Sequence, residues 1–172
     1  MSLGPFTDLA QAMTDRARSA GAALFVNDRP DVARLTGADG VHVGQTDLPA
    51  RDARKILVQG QLVGVSTHNP EQARQAVSDG ADYLAIGPVF PTVTKANPDP
   101  VVGLEGVTTA AGIAHAAGLP LVAIGGIRLE SAPRLFAAGA DSIAVISDLF
   151  AGDWRALSER LREWIPGIDS RS

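Results

Sequence analysis

The sequence predicts an α/β protein in which parallel strands alternate with covering helices, and three observations support this fold class. Short apolar runs alternate with amphipathic stretches along all 172 residues. Apolar residues make up 45% of the chain and charged residues 20%, which is ordinary for a globular protein. The tripeptide Gly-Ala-Asp recurs between helix-like and strand-like stretches. We expect one domain over residues 1–172, with residues 1–5 as an added or disordered start.

The first predicted element is a helix over Phe6–Ala20, in which Leu9, Met13 and Ala17 recur at helical spacing before the stop signal Gly21. Short aliphatic runs then indicate about six buried parallel strands. These strands are Ala23–Val26, Val41–Val43, Leu62–Val65, Tyr83–Ile86, Leu121–Ile124 and Ser142–Ile146. The expected helices between and after them are Arg51–Leu57, Pro70–Asp79, Gly106–Ala117, Glu130–Ala138 and Trp154–Trp164.

The repeated tripeptide has a structural explanation. It stands at Gly37–Asp39, Gly80–Asp82 and Gly139–Asp141, each time where a predicted helix or turn gives way to a strand. The glycine can adopt a left-handed helix cap, and the alanine permits close packing of helix on sheet. The aspartate can accept hydrogen bonds from backbone donors where the chain enters the sheet. We therefore assign these residues no chemistry.

Composition argues against several kinds of partner. The net charge is −4 and the 15 basic residues form no cluster, so nucleic acid is not expected as a partner. No apolar run approaches the roughly 20 residues that a membrane span requires, so no membrane contact is expected. Cysteine is absent, which removes disulfides, thiolate nucleophiles and cysteine metal sites. We expect a soluble cytoplasmic protein that acts on small molecules.

Two carboxylates follow neighbouring predicted strands, at the edge where parallel α/β proteins bind ligands. Asp28 follows the first strand, and Asp47 lies in the loop after the second. Together they could bind Mg²⁺, which prefers oxygen ligands and needs only one or two carboxylates when substrate phosphates complete its shell. The alternative is that Asp28 pairs with Arg29 and that Asp47 caps a helix at Leu48–Pro49.

The third predicted strand ends in a polar run that contains Ser66, His68 and Asn69. The Ser66 hydroxyl could contact a ligand, whereas Asn69 before Pro70 is typical of a helix N-cap. His68 could transfer a proton near neutral pH. It could equally be a local hydrogen-bonding residue at the helix start.

A long irregular loop follows the fourth predicted strand, and such loops inside compact α/β proteins are often functional. Thr92 and Thr94 offer hydroxyl donors and Lys95 a positive charge, a combination suited to phosphate. The alternative is a solvated loop that happens to contain these residues. After the fifth strand, Gly125–Gly126 could let a phosphate approach the backbone, and Ser147 follows the sixth strand.

Seven ordered segments carry a family resemblance: VNDRPDVA, GADGVHVGQTDLP, GVSTHN, ADYLAIGPVFPTVTK, GLEG, VAIGGI and IAVIS. In these segments the chain resembles thiamine phosphate synthase and the related thiazole tautomerases, from about Phe6 to Leu161. The resemblance implies the (βα)8 TIM-barrel fold, here as an incomplete barrel of about six strands. It also implies a transferase that joins hydroxymethylpyrimidine diphosphate to a thiazole phosphate, releases pyrophosphate and uses Mg²⁺.

The resemblance further implies roles for individual residues. Asp28 and Asp47 would bind Mg²⁺, and the residues that contact the pyrimidine diphosphate would be Asn27, Ser66 and Lys95. Ser66 and Lys95 are the expected catalytic residues. The thiazole phosphate would be held by Thr92, Val93, Thr94, Gly126, Ile146 and Ser147.

The chain departs from the family pattern at its start. The resemblance implies two strands before the first helix, with a Gln-Leu-Arg-x-Lys type sequence that grips the diphosphate, and no segment here corresponds to them. This departure leaves full synthase activity in doubt and keeps two other functions open, a thiazole tautomerase that uses His68 and a non-catalytic thiazole phosphate-binding remnant. We also expect a homo-oligomer, most simply a dimer, because the strands at Ala23–Val26 and Ser142–Ile146 would expose free edges.

Overall fold

The computed structural model describes residues 3–92 and 99–165, which form two compact units. Of the described residues, the first unit contains 3–67 and 71–85, and the second contains 68–70, 86–92 and 99–165. The helices are α1 (Leu3–Ser19), α2 (Pro30–Thr36), α3 (Ala50–Ile56), α4 (Pro70–Ser78), α5 (Gly103–Ala116), α6 (Ala132–Ala137) and α7 (Trp154–Trp164). The strands are β1 (Phe25–Asn27), β2 (Gly40–Val43), β3 (Leu62–Thr67), β4 (Tyr83–Ile86), β5 (Leu121–Ile124) and β6 (Ser142–Ala144).

The first unit is built on parallel strands in chain order. β2 lies between β1 and β3, and Val41 of β2 is in register with Val26 on one side and Val63 on the other. All three valines are buried. Buried Val32 of α2 and Ala53 of α3 belong to the helices of this unit, so small aliphatic side chains fill the space between helix and sheet.

The second unit has the same plan. β5 and β6 pair in parallel, with Ala123 in register with Ile143. Leu121 of β5 is fully buried, as are Val107 of α5 and Leu135 of α6. The helices again cover strands whose apolar side chains supply the core.

The Gly-Ala-Asp repeats have the structural role expected from the sequence. All three glycines have positive φ, and all three alanines are at most 6% exposed. Each aspartate accepts a hydrogen bond from a backbone N–H at the start of a strand. The donor–acceptor pairs are Leu24 N to Asp39 (2.8 Å), Val63 N to Asp82 (2.6 Å) and Leu121 N to Asp141 (2.8 Å).

The predicted α/β class with six parallel strands is confirmed, while several boundaries differ. The first helix begins at Leu3 instead of Phe6, and β6 ends at Ala144 instead of Ile146. Helix α2 was missing from the sequence prediction. Its seven residues are too few for a clear apolar period, but Pro30 in the first turn and left-handed Gly37 at the C-cap are ordinary helix limits.

Within residues 3–92 and 99–165, no helix is both long and apolar enough to cross a membrane.

Candidate active site

Asp28 occupies a backbone conformation that is unusual for a residue other than glycine. Strand β1 ends at Asn27, and Asp28 follows with φ 63° while its N–H donates to the carbonyl of His42 (2.8 Å). Aspartate is among the few residues that tolerate this left-handed region. The turn leaves Asn27 and Asp28 exposed at the carboxyl end of the strand. A strained polar residue at a strand end is a common feature of functional sites.

Asp47 lies beside Asp28. One Asp47 carboxylate oxygen accepts a hydrogen bond from the N–H of Gly44 (2.8 Å), which closes the turn after β2. Although Asp28 is largely exposed, partial desolvation raises its pKa, and the nearby Asp47 charge and a hydrogen bond to that carboxyl raise it further. The two carboxyl groups are therefore close enough to disfavour simultaneous ionisation.

The structure shows neither of the alternative roles, an Asp28–Arg29 ion pair or Asp47 as a helix cap. Arg29 donates to Asp31, with Nε 2.9 Å from Oδ1, instead of pairing with Asp28. Helix α3 begins at Ala50 with Pro49 as its N-cap and without a side-chain cap hydrogen bond, so Asp47 does not cap it.

The carboxylate pair suits a cation that needs few protein ligands. Among the described residues, no group of three or more His, Cys, Asp or Glu side chains could enclose a metal ion. Two adjacent carboxylates nevertheless match the donor set of Mg²⁺, which keeps several waters and takes further oxygens from a substrate. A divalent cation would also relieve the repulsion that raises the Asp28 pKa.

Ser66 belongs to a hydrogen-bonded chain that crosses three strands of the first unit. Its Oγ lies 2.7 Å from His42 Nε2, and His42 Nδ1 lies 2.8 Å from the Tyr83 hydroxyl. The Gln45 side chain donates to the Ser66 carbonyl (2.7 Å). His42 comes from β2, Ser66 from β3 and Tyr83 from β4. The hydroxyl predicted to contact a ligand is thus hydrogen-bonded to His42, which in turn is hydrogen-bonded to Tyr83.

The sequence analysis missed His42, Gln45 and Tyr83. A signal for His42 was present, because it interrupts an apolar run between Val41 and Val43, where a buried parallel strand is normally apolar throughout. Burial lowers the pKa of His42, against the opposing effect of the Asp47 charge, which favours a neutral imidazole. Burial also raises the pKa of Tyr83 to about 12, so its phenol stays protonated.

His68 makes local contacts within the second unit. Its Nδ1 is hydrogen-bonded to the carbonyl of Gly87, and its Nε2 lies 3.3 Å from a carboxylate oxygen of Asp99. His68 is therefore held by residues distant in sequence from the start of α4, and both the local hydrogen-bonding role and the proton-transfer role stay predictions. Asp99, which the sequence interpretation did not consider, lies in the irregular loop and thereby connects that loop to His68.

Part of the predicted phosphate loop lies outside the described residues, namely Val93, Thr94 and Lys95. Thr92 is described and half-buried. The chain just before it lies against the glycine pair, since Phe90 N donates to the Gly125 carbonyl (3.0 Å). A Cβ atom at Gly126 would lie 2.5 Å from the Pro91 carbonyl oxygen, and Gly126 has φ 67°. Only glycine fits here, because the backbone of Phe90 and Pro91 packs directly against Gly126.

Ile146 and Ser147 follow β6 in a turn of the second unit. The N–H groups of Leu149 and Phe150 donate to the Ile146 carbonyl, and both Ile146 and Ser147 are exposed. Asp148 connects the turn to α7, because its carboxylate accepts hydrogen bonds from Arg160 Nε (2.9 Å) and Trp164 Nε1 (2.9 Å).

Comparisons with known proteins connect these residues with one family. A family profile described as thiamine monophosphate synthase matches residues 3–149. The thiamine-phosphate synthase of Moorella thermoacetica is 45% identical over 157 residues, which cover 91% of this chain and 73% of that protein. The thiamine-phosphate synthase of Chloroflexus aurantiacus is 49% identical over 144 residues, which cover 84% of this chain and 65% of that protein. The chain thus spans about two thirds to three quarters of the length of these relatives.

A solved structure gives the same result for the fold. The thiamine phosphate pyrophosphorylase from Pyrococcus furiosus matches with a TM-score of 0.77 at 33% sequence identity. The match covers 95% of this chain and 79% of that chain.

Proposed function

Because the chain belongs to the thiamine monophosphate synthase family, we propose that it catalyses the joining of hydroxymethylpyrimidine diphosphate to a thiazole phosphate with release of pyrophosphate. The observation that carries the proposal is the Asp28–Asp47 pair, two adjacent carboxylates at the carboxyl ends of β1 and β2. Displacement of a diphosphate concentrates negative charge on the leaving group, and a cation held by two carboxylates neutralises it.

In the proposed reaction the carbon–oxygen bond to the diphosphate breaks and its electron pair leaves with pyrophosphate. The lone pair of the thiazole nitrogen forms the new carbon–nitrogen bond, so no side-chain nucleophile is required. Asp28 and Asp47 would hold Mg²⁺, which supplies positive charge to the diphosphate when bound. Asn27 and Ser66 would orient the pyrimidine diphosphate, and Lys95 would add a second positive charge.

We assign the thiazole phosphate to the second unit. Gly126 is assigned to this group on the basis of the family resemblance, and it packs against the backbone of Phe90 and Pro91, just before Thr92. Ser147 offers an exposed hydroxyl in the turn after β6, next to Ile146. Thr92, Val93 and Thr94 complete the proposed group of ligands on the basis of the family resemblance.

The proposal includes a homodimer and a cytoplasmic location. Large apolar side chains are exposed in both units, among them Met13 at 49% on α1 and Trp154 at 71% on α7. Large apolar side chains exposed on either unit favour association with a second copy. The absence of cysteine is compatible with a reducing compartment.

One contact favours a second candidate function, a thiazole tautomerase. His68 lies 3.3 Å from Asp99, and a carboxylate next to an imidazole is the arrangement expected of a general base. This function would need the thiazole substrate alone.

An assay with both substrates and Mg²⁺ tests the proposal. We expect thiamine phosphate from the unchanged chain, and a decrease in kcat/KM of about 100-fold or more in Asp28→Asn and in Asp47→Asn, as for groups that stabilise charge in a transition state. Asp52→Asn is the matched control, because Asp52 pairs with Lys55 on α3 and has no role in the site. Isomerisation of the thiazole without thiamine phosphate would replace the proposal by the tautomerase, and neither product would contradict both.

A further inference from the structure

We propose that His42 is a positioning residue that orients the Ser66 hydroxyl as a hydrogen-bond donor toward a bound ligand, with Tyr83 fixing the state of the imidazole. The inference rests on the proposed function only in that Ser66 is taken to contact the pyrimidine diphosphate. It adds that Ser66 is the hydrogen-bond donor in that contact, and that His42 and Tyr83 control this role.

The geometry leaves the imidazole little freedom. Both ring nitrogens of His42 are engaged, Nδ1 with the Tyr83 hydroxyl at 2.8 Å and Nε2 with Ser66 Oγ at 2.7 Å. A neutral imidazole has one N–H and one acceptor nitrogen, so the two contacts must run in opposite senses. Whichever partner donates to His42, the other must accept from it.

The Tyr83 hydroxyl determines which groups donate and which accept in these two hydrogen bonds. Among the described residues, the Tyr83 hydroxyl forms its hydrogen bond with His42 Nδ1. A phenol is a stronger donor than an aliphatic hydroxyl, and burial raises the pKa of Tyr83 to about 12, so the proton remains on its oxygen. Tyr83 therefore donates to Nδ1, and His42 donates from Nε2 to Ser66 Oγ.

This arrangement determines what Ser66 can offer a ligand. With its Oγ already accepting from His42, the Ser66 proton is free to point elsewhere. Ser66 is half-buried at the carboxyl end of β3, and its carbonyl is held by Gln45 (2.7 Å). The side chain therefore presents an O–H donor, which suits a ring nitrogen or a diphosphate oxygen.

Packing holds the Tyr83 ring in the position that its hydrogen bond to His42 requires. The ring meets Phe25 edge to face with centroids 5.3 Å apart, and the His42 ring centroid lies 5.6 Å away. Gly64 of β3 leaves the space for the ring, because a Cβ atom there would lie 1.9 Å from it. These neighbours favour one orientation of the Tyr83 ring, and therefore keep its hydroxyl beside His42 Nδ1.

Two amide substitutions separate the contacts of His42. His42→Gln carries an amide that can reach Ser66 from about the position of Nε2, whereas the shorter side chain of His42→Asn can reach Tyr83 but not Ser66. We expect His42→Asn and His42→Ala to lower kcat by about 10- to 100-fold, the range for residues that orient a functional side chain. His42→Gln should recover most of that loss, which a purely structural role would not predict.

Coupling to Ser66 provides the second measurement. Since His42 acts through Ser66, the double variant His42→Ala with Ser66→Ala should be no slower than Ser66→Ala alone. His115→Gln is the matched control, because His115 pairs with Asp141 on the surface of the second unit at 2.8 Å. It should keep unchanged kinetics. Losses that multiply in the double variant, or equal activity of the Gln and Asn variants, would overturn the inference.

The tautomer of His42 can be measured independently of enzymatic activity. In ¹⁵N NMR of the selectively labelled chain, His42 should carry its proton on Nε2, and Tyr83→Phe should change that state because it removes the donor to Nδ1. A proton on Nδ1 in the unchanged chain would overturn the inference even if thiamine phosphate is formed. If the chain forms no thiamine phosphate, the proposed function fails, while the NMR result still decides the state of His42.

Discussion

Gly64 and Tyr83 are complementary in shape, since a Cβ atom at position 64 would lie 1.9 Å from the Tyr83 ring. We predict that Gly64→Ala displaces the ring and lowers the free energy of unfolding by roughly 1–3 kcal/mol, the usual cost of overpacking. Urea unfolding followed by circular dichroism measures this change.

Gly112→Ala is the control for that substitution. Gly112 lies in α5, and a Cβ atom there would meet nothing within 4 Å. Alanine is the better helix former by about 0.5–1 kcal/mol, so Gly112→Ala should stabilise the protein. A Gly64→Ala protein as stable as the unchanged chain would show that the Tyr83 ring can move without cost.

The raised pKa of Asp28 predicts that removing its carboxylate charge stabilises the protein, by an amount that depends on pH. A carboxyl whose pKa is higher in the folded than in the unfolded chain contributes stability below the unfolded pKa, and loses it as the pH rises through the folded pKa. In metal-free buffer at pH 7, Asp28→Asn should therefore raise Tm by about 1–3 °C. Asparagine tolerates the left-handed backbone at this position, so no strain is added.

The Tm difference for Asp28→Asn should shrink as the pH falls through the raised folded-state pKa of Asp28, because protonation then removes the repulsion. Asp52→Asn should behave in the opposite way. The Lys55 hydrogen bond lowers the pKa of Asp52, so its contribution is present above the unfolded pKa and the variant should melt lower at pH 7. A lower Tm for Asp28→Asn at pH 7 would contradict mutual repulsion between Asp28 and Asp47.

Mg²⁺ should bind weakly to the protein alone and more tightly with a diphosphate. Two carboxylates leave most of the octahedral shell to water and substrate, so we expect at least about a tenfold gain in affinity when inorganic pyrophosphate is present. Calorimetry of the unchanged chain and of the double variant Asp28→Ala with Asp47→Ala measures it. Equal binding by both proteins would place the metal elsewhere.

The free protein should be a dimer, with a mass in sedimentation equilibrium of about twice 17.8 kDa at micromolar concentration. The exposed side chains of Phe150 (65%) and Trp154 (71%) favour association. Phe150→Ser with Trp154→Ser should weaken it if this surface is used. A folded monomer at the highest concentrations would contradict the prediction.

The strands and the repeated turns could be predicted from the sequence because they depend on local chemistry. Gly37, Gly80 and Gly139 are recognisable as left-handed caps, and the aspartates after them as acceptors for nearby backbone. The polar chain of His42, Ser66 and Tyr83 could not be predicted in this way. Its members come from three strands, and their contacts depend on register and on the space at Gly64, which only the folded structure specifies.

The same distinction applies to the carboxylates. Asp28 and Asp47 follow neighbouring strands, so their proximity could be expected from the rule that ligands collect at strand ends. The partner of Arg29 could not be predicted, since both Asp28 and Asp31 lie within two residues of it and the left-handed turn at Asp28 is not visible in the sequence. Asp99 as a partner of His68 likewise depends on how the loop after β4 returns.

The most direct test of the proposed function is a single-turnover reaction in which thiamine phosphate and pyrophosphate are quantified together. The purified chain is mixed with hydroxymethylpyrimidine diphosphate, the thiazole phosphate and Mg²⁺, then quenched at intervals. We expect both products to appear at the same rate and in equal amounts, only when both substrates are present, and at least about 100-fold more slowly in Asp47→Asn. Pyrophosphate without thiamine phosphate, or equal rates in the two proteins, would contradict the proposed transfer.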